Sequence, residues 1–417
     1  MHADLIIYNI GELVTPNKKA PVRGTDLSSI TKLHNAFIAI KGEVIIGFGE
    51  ESYDEFKTKD TVMYDALCNV VLPGLIDSHT HLVHGGSREH EFGKKLAGVP
   101  YLEILKQGGG ILSTVNSTRE SSFDELYYKA YNSLDEMLLF GVTTIEAKSG
   151  YGLNLETELK QLEVANKLDN DHPIDIVSTY LGAHAVPVEY KDNKNGYIET
   201  VITDMEIVYE KGLADFVDIF CEDSVFNYED SKRILSHAKE VGFDIKIHAD
   251  EIVSLGGAKL ACEVGCTSAD HLMAVSDEDI KLLGKTDIIS NILPCTSFYL
   301  NKDYAPVRLM IEQGCAISIS SDYNPGSSPS ENFQFTMQLG ANKLRMKPEE
   351  VLNASTINAA YNLNLSDTIG SIEVGKHADI VIMNCNNLEY ILYHYGINHT
   401  KDVFKNGILV VRDRTVL

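Results

Sequence analysis

Between residues 66 and 367 the chain alternates short β-branched, apolar runs with longer stretches of helical periodicity. The short runs are Leu75–His79, Thr143–Ala147, Asp175–Tyr180, Phe216–Phe220, Ile245–His248, Ser268–His271, Ile288–Ile292 and Ala316–Ser320. Their length and composition predict strands. Helical spacing predicts helices over Phe123–Phe140, Glu156–Leu168, Tyr228–Val241 and Ser276–Leu283. For the first of these, Ser121 or Ser122 is the N-cap and Gly141 the stop. Alternating strands and crossover helices belong to parallel α/β folds, and eight strands suggest a (β/α)8 TIM-like barrel.

The two ends of the chain read differently. Asp4–Tyr8 is a short apolar run, and Phe37–Ile40 and Val44–Phe48 flank the hairpin signal Lys41-Gly42-Glu43. Near the other end His377–Met383 reads as a strand, and Val403–Phe404 and Ile408–Val411 flank a second turn, Lys405-Asn406-Gly407. Neither set buries its apolar face alone. The expected organisation is therefore one small composite β-sandwich domain from residues 1–65 and 368–417, around a barrel of residues 66–367.

Bulk properties narrow the function. A net charge of −24 argues against nucleic acid or an anionic membrane as partner. It does not exclude an anionic small molecule, because one local Arg can override the global field. The seven scattered cysteines suit a reducing compartment. Cys262 and Cys266 lie a helical turn apart, but no second pair completes a zinc site, so they read as packing residues. There is no leader-like segment and no run of about 18 apolar residues. A cytoplasmic protein is expected, with a small-molecule substrate and a homodimeric assembly.

The stretch Leu72-Pro-Gly-Leu-Ile-Asp-Ser-His-Thr-His81 carries the first chemistry. It enters a strand through a Pro-Gly turn and closes on His79 and His81. Residues two apart on a strand face the same side. Two imidazoles so placed can share one divalent ion. The other predicted strands also end in polar groups, among them Glu146 and Lys148, His184, Glu222 and Asp223, His248 and Glu251, His271, and Asp322. In a barrel these ends face one common mouth. Lys148 reads as an ion-pair residue rather than a metal ligand.

The Pro73–His81 stretch resembles the first-strand signature of the amidohydrolases, metal-dependent hydrolases on a (β/α)8 barrel. A closer resemblance, spanning nearly the whole chain, is to the imidazolonepropionases, ring-opening hydrolases of histidine degradation. It rests also on Gly108–Val115, Glu146–Leu153, Leu181–Pro187 and Ser321–Ser327. The implied ligands are His79, His81, His248 and Asp322, a set suited to one Zn²⁺ or one iron ion, Fe²⁺ or Fe³⁺. Amidohydrolases with two metals use a bridging Lys at the end of strand four, where this chain has Glu222 and Asp223.

The resemblance also implies the substrate, 4-imidazolone-5-propanoate, and its contacts: Arg88, Tyr151, His184, Glu251, Asn324, Gly326 and Ser327. Arg88 offers a planar fork to the propionate. Tyr151 offers an apolar face and a hydroxyl. The amides and hydroxyl of the Asn324–Ser327 loop are expected to hold an anion. Glu251, His271 and Asp322 are the candidate catalytic groups that move protons and stabilise charge. Gly108–Gly110 lacks the Lys-Ser/Thr of a phosphate loop and is expected to be a flexible segment near the mouth. Two other readings are a deaminase of cyclic amidines, which shares the His, Glu and Asp pattern, and a metal-free scaffold. Arg88 argues against the first, because nucleobases carry no carboxylate.

Overall fold

A computed structural model describes residues 2–50, 52–99 and 109–417. Eight parallel strands form one sheet in sequential order: Leu75–Asp77, Val142–Lys148, Asp175–Ala183, Phe216–Cys221, Asp244–Ala249, Ser268–His271, Ile289–Ile292 and Ala316–Ile319. The chain beyond the first and last strands brings them together. Thr80 bridges Tyr323, the His81 amide donates to Tyr323 O at 2.8 Å, and the Asp322 amide donates to His79 O at 3.1 Å. Asp77 adds a side-chain tie, accepting from the Ser321 amide at 2.9 Å. The barrel is therefore joined between strands one and eight by the segments that carry the candidate ligands.

The crossover helices follow local signals. Phe123–Leu139 starts at Ser122, which forms a capping box with Glu125, and it gives way to Gly141 at φ +89°. Leu155–Asp171, Tyr228–Val241 and Asp277–Leu283 are capped by Asn154, Asn227 and Ser276. Their buried faces join the barrel strands in one apolar core that includes Leu134, Leu162, Leu235 and Ile280.

Both ends of the chain build a separate nine-stranded sheet. Val70–Pro73 is its keystone, pairing with Ile380–Met383 antiparallel and with Glu12–Leu13 parallel. On the far side Val44 bridges His377, and the Ala378 amide donates to Glu43 O at 2.8 Å. The sheet thus folds over its own core of Ile7, Ile38, Val71, Ile380 and Phe404. The two hairpin turns abut so closely that a Cβ on Gly407 would lie 2.7 Å from Gly42 O.

No helix among the described residues is long and apolar enough to cross a membrane. All seven cysteines are free. Of the Gly108–Gly110 segment, Gly108 lies outside the described residues; Gly109 and Gly110 are buried and lead into a helix, Ile111–Glu120.

Candidate functional site

Strand one ends earlier than its sequence predicts. His79 and His81 lie beyond Asp77, in backbone held on both sides. Tyr323 pairs with one side as described, and the Lys148 amide donates to Thr80 O at 2.9 Å on the other. These bonds preserve the extended geometry that puts both imidazoles on one face. His248 comes from strand five, and its ring centroid is 4.6 Å from that of His79 and 5.7 Å from that of His81. One nitrogen from each of the three lies within 4.8 Å of the others. Asp322 completes the group, with Oδ1 3.6 Å from both His79 Nε2 and His81 Nε2. A second convergent set joins His79 and Asp322 to His271. Asp322 and His271 adopt φ of +55° and +75°, strained for side-chain-bearing residues and characteristic of functional sites.

The donor chemistry of the cluster fits a cation. His79 Nδ1 contacts Asp270 Oδ2 at 2.5 Å, and His248 Nδ1 lies 2.9 Å from Asp218 Oδ2. For His79 the carboxylate accepts, so Nδ1 carries the proton and Nε2 presents a lone pair; His248 Nδ1 lies beside its carboxylate as a close charge contact without hydrogen-bond geometry. Both Nε2 atoms are buried without a hydrogen-bond partner among the described residues. Burial first, and cationic neighbours second, hold His79 and His81 well below the ordinary imidazole pKa. His248 is buried too, but Asp218 outweighs that and raises its pKa. A cation at Nε2 would take the place of that proton.

Below the cluster lies a charged interior that the sequence reading did not assemble. Lys148 Nζ is 2.8 Å from Asp218 Oδ2, 2.9 Å from Glu146 Oε1 and 3.9 Å from Asp270 Oδ2, all with fully buried side chains. Lys246 Nζ is 3.1 Å from the same Glu146 oxygen and sits 4.5 Å over the Phe216 ring. Lys148 is thus the ion-pair residue expected. Asp218 and Asp270, which stand behind two of the candidate ligand imidazoles, were missed. The signal was present: Asp218 interrupts the apolar run Phe216-Val-Asp-Ile-Phe220, where an unpaired charge would be too costly to keep. Glu222, at the end of strand four, accepts from the Ile252 amide at 3.0 Å and so braces the loop behind Glu251.

Glu251 and His271 face each other, with Oε2 and Nε2 3.6 Å apart. Burial, reinforced by Asp322, pushes the Glu251 carboxyl up to about 8. Burial likewise raises Asp322 to about 6, against hydrogen bonds led by that from Thr296 Oγ1. His184 stacks on His81 at 4.9 Å and 13°, its Nδ1 3.0 Å from Gly150 O. Tyr151 packs at 5.6 Å from His81 and 5.3 Å from His184. Arg88 stands at the rim, its Nε donating to Thr114 Oγ1 at 2.8 Å. Its charge reaches inward. Burial chiefly, then Lys129 for His84 and His248 for His184, brings both down to about 3, with Arg88 a smaller contributor to each.

The Asn324–Ser327 loop differs from expectation. The Gly326 and Ser327 amides donate to Asn324 Oδ1 at 2.7 and 2.8 Å, which uses them inside an Asx turn instead of aiming them at an anion. Ser327 Oγ reaches toward the cluster instead, 3.4 Å from Asp322 Oδ2. Gly326 makes room: a Cβ there would fall 2.3 Å from Arg88 Nη1.

The comparisons agree with this geometry. Residues 222–410 match the Amidohydrolase family. The fold is shared with a zinc-bound adenosine deaminase from Xanthomonas campestris, at TM-score 0.76 and 17% identity over 100% of this chain and 94% of that one. It is shared also with ochratoxinase from A. niger, at TM-score 0.71 and 17% identity over 99% and 96%. At such identities the likeness concerns the fold alone. Sequence relatives are far nearer. Imidazolonepropionase from Fusobacterium nucleatum is 56% identical over 99% of this chain and 100% of its own length. Those from Streptococcus gordonii and Alkaliphilus metalliredigens are 52% and 51% identical, each over 99% of both chains. With its barrel, its His and Asp cluster and this degree of identity, the chain belongs to the imidazolonepropionase family of the amidohydrolases.

Proposed function

We infer that the protein hydrolyses the ring C–N amide bond of 4-imidazolone-5-propanoate to give N-formimidoyl-L-glutamate, a step in histidine degradation. It is a hydrolase acting on carbon–nitrogen bonds in cyclic amides. The observation that carries this reading, beyond family membership, is the placement of Arg88 at the rim of the histidine cluster. A cationic fork beside a metal-binding constellation suits a reactive ring that bears a carboxylate.

One divalent ion, Zn²⁺ or iron, would be held by His79, His81, His248 and Asp322. Bound there, it would supply Lewis acidity and activate a water at neutral pH. The chain's own groups do the rest. Arg88 grips the propionate and fixes the ring in the mouth. Tyr151 and His184 flank the ring, while Asn324, Gly326 and Ser327 form the wall beside Arg88. Asp322 and neutral His271 stand where a proton leaving the attacking water can be accepted. His271 also hydrogen-bonds the carbonyl oxygen as it gains charge. Glu251, protonated near neutrality, delivers a proton to the ring nitrogen as the C–N bond breaks.

The direct test follows the loss of ring absorbance when enzyme is added to freshly generated 4-imidazolone-5-propanoate, with the product identified as N-formimidoyl-L-glutamate. Release of ammonia from a cyclic amidine, with no ring opening of the imidazolone, would favour the deaminase reading instead.

A further inference from the structure

We infer that Thr114 is a positioning residue for Arg88 and thereby sets the enzyme's preference for a carboxylate-bearing ring. The inference rests on the reading that Arg88 grips the propionate. An Arg side chain has several rotatable bonds, so a fork at the rim of a site is useful only if something fixes its plane. Thr114 does so through the bond from Arg88 Nε. The Thr114 side chain is itself fixed, because the residue is 3% exposed on the helix Ile111–Glu120.

That helix is docked directly on the loop that carries Arg88. The Gly85 amide donates to Thr118 Oγ1 at 2.9 Å, and Thr118 Oγ1 donates to Thr114 O at 2.8 Å. A Cβ on Gly85 would lie 2.4 Å from Ser117 O, so loop and helix touch backbone to backbone. The separation between the Arg88 backbone and the Thr114 hydroxyl is thus set by packing. Thr114 is also a neutral acceptor. A carboxylate at this position would fix Nε equally well but would cancel the charge that the substrate needs. A hydroxyl fixes direction and leaves the charge in place, with the terminal nitrogens on the side of Gly326.

The test compares the metal-loaded wild type with Thr114→Val, Thr114→Ala, Thr114→Ser and Arg88→Ala. Each is assayed on 4-imidazolone-5-propanoate and on the corresponding propanamide, which has the same ring and no charge. Thr114→Val should lower kcat/KM on the acid by about tenfold, mostly through KM, and leave the amide unchanged. Thr114→Ala should give the same split, and Thr114→Ser should restore wild-type preference. Equal losses on both substrates, or no loss with Thr114→Val while Arg88→Ala abolishes the preference, would overturn the role of Thr114. If Arg88→Ala keeps the preference, the propionate reading falls and this inference falls with it.

Discussion

His79 Nδ1 and Asp270 Oδ2 meet at 2.5 Å with neither side chain exposed to solvent. The contact fixes the tautomer of the first candidate ligand imidazole before any ion arrives. Asp218 stands beside His248 Nδ1 at 2.9 Å, and Lys148 lies between the two carboxylates. One buried ammonium therefore stands behind two candidate ligand positions that are far apart in the sequence.

Asp270→Asn and Asp218→Asn should each weaken metal binding about 10- to 100-fold, because the imidazole loses the charged acceptor that orients it and raises its basicity. Competition with a chelator of known affinity measures this without reference to turnover. Unaltered affinity would mean that packing alone orients the rings.

Metal content should reach one ion per chain. The cluster draws on three histidines and Asp322, while Glu222 is engaged with loop amides and Lys148 with carboxylates. Elemental analysis of protein saturated and then freed of excess ion checks this. Two tightly held ions per chain would sink the mononuclear reading.

Glu251→Gln should keep the metal and lose about 10²- to 10⁴-fold in kcat, the usual worth of a positioned proton donor. Near-normal turnover would remove Glu251 from the mechanism. A pH signature accompanies it in the metal-free protein. Folding raises this carboxyl from 4.5 to about 8, so the fold favours its protonated form. The stability it contributes is complete below 4.5 and is lost as pH rises toward 8. Wild type should therefore lose stability relative to Glu251→Gln across that window. A constant difference between the two would contradict the shift.

Gly326→Ala should displace Arg88 while leaving the fold intact. The new methyl would lie 2.3 Å from Arg88 Nη1 and 3.3 Å from Asn324 Oδ1, so the guanidinium, a side-chain end, is the group that gives, moving off the Thr114 hydroxyl. KM for the propionate-bearing substrate should rise about tenfold, the value of one charge-assisted hydrogen bond, with Tm nearly unchanged. Thermal unfolding and steady-state kinetics together check it, and a fall in Tm with an unchanged KM would place the role of Gly326 in the loop instead.

Much of this site is legible from the sequence because the signals are local. Strand–helix alternation reports burial along the chain itself, and it marks all eight barrel strands and four of the capped helices between them, though not Lys194–Glu210. The HxH pair is a two-residue motif, and His248, His271 and Asp322 sit where predicted strands run out. The fold then puts these ends at one mouth. Even so, His79 and His81 lie past the regular strand, in backbone tied to Asp322 and Tyr323 on one side and, through Thr80, to Lys148 on the other.

What the sequence could not decide is which polar groups meet across the barrel. Asp218 and His248 are on neighbouring strands, and the parallel register that sets His248 opposite both Phe220 and Asp270 is fixed by sheet closure. Lys148 meets both carboxylates only because three further strands curl around it. The same holds for Arg88. Its type and place suggested a carboxylate clamp, but Thr114 and Gly326 come from segments with no local link to it. The Asn324 loop makes the converse point. Its composition suggested free amides, yet the Asn324 side chain takes them, and only the folded turn reveals that. Periodicity encodes which face of each element is buried; the partner on the other side is set by how the elements stagger when the barrel closes.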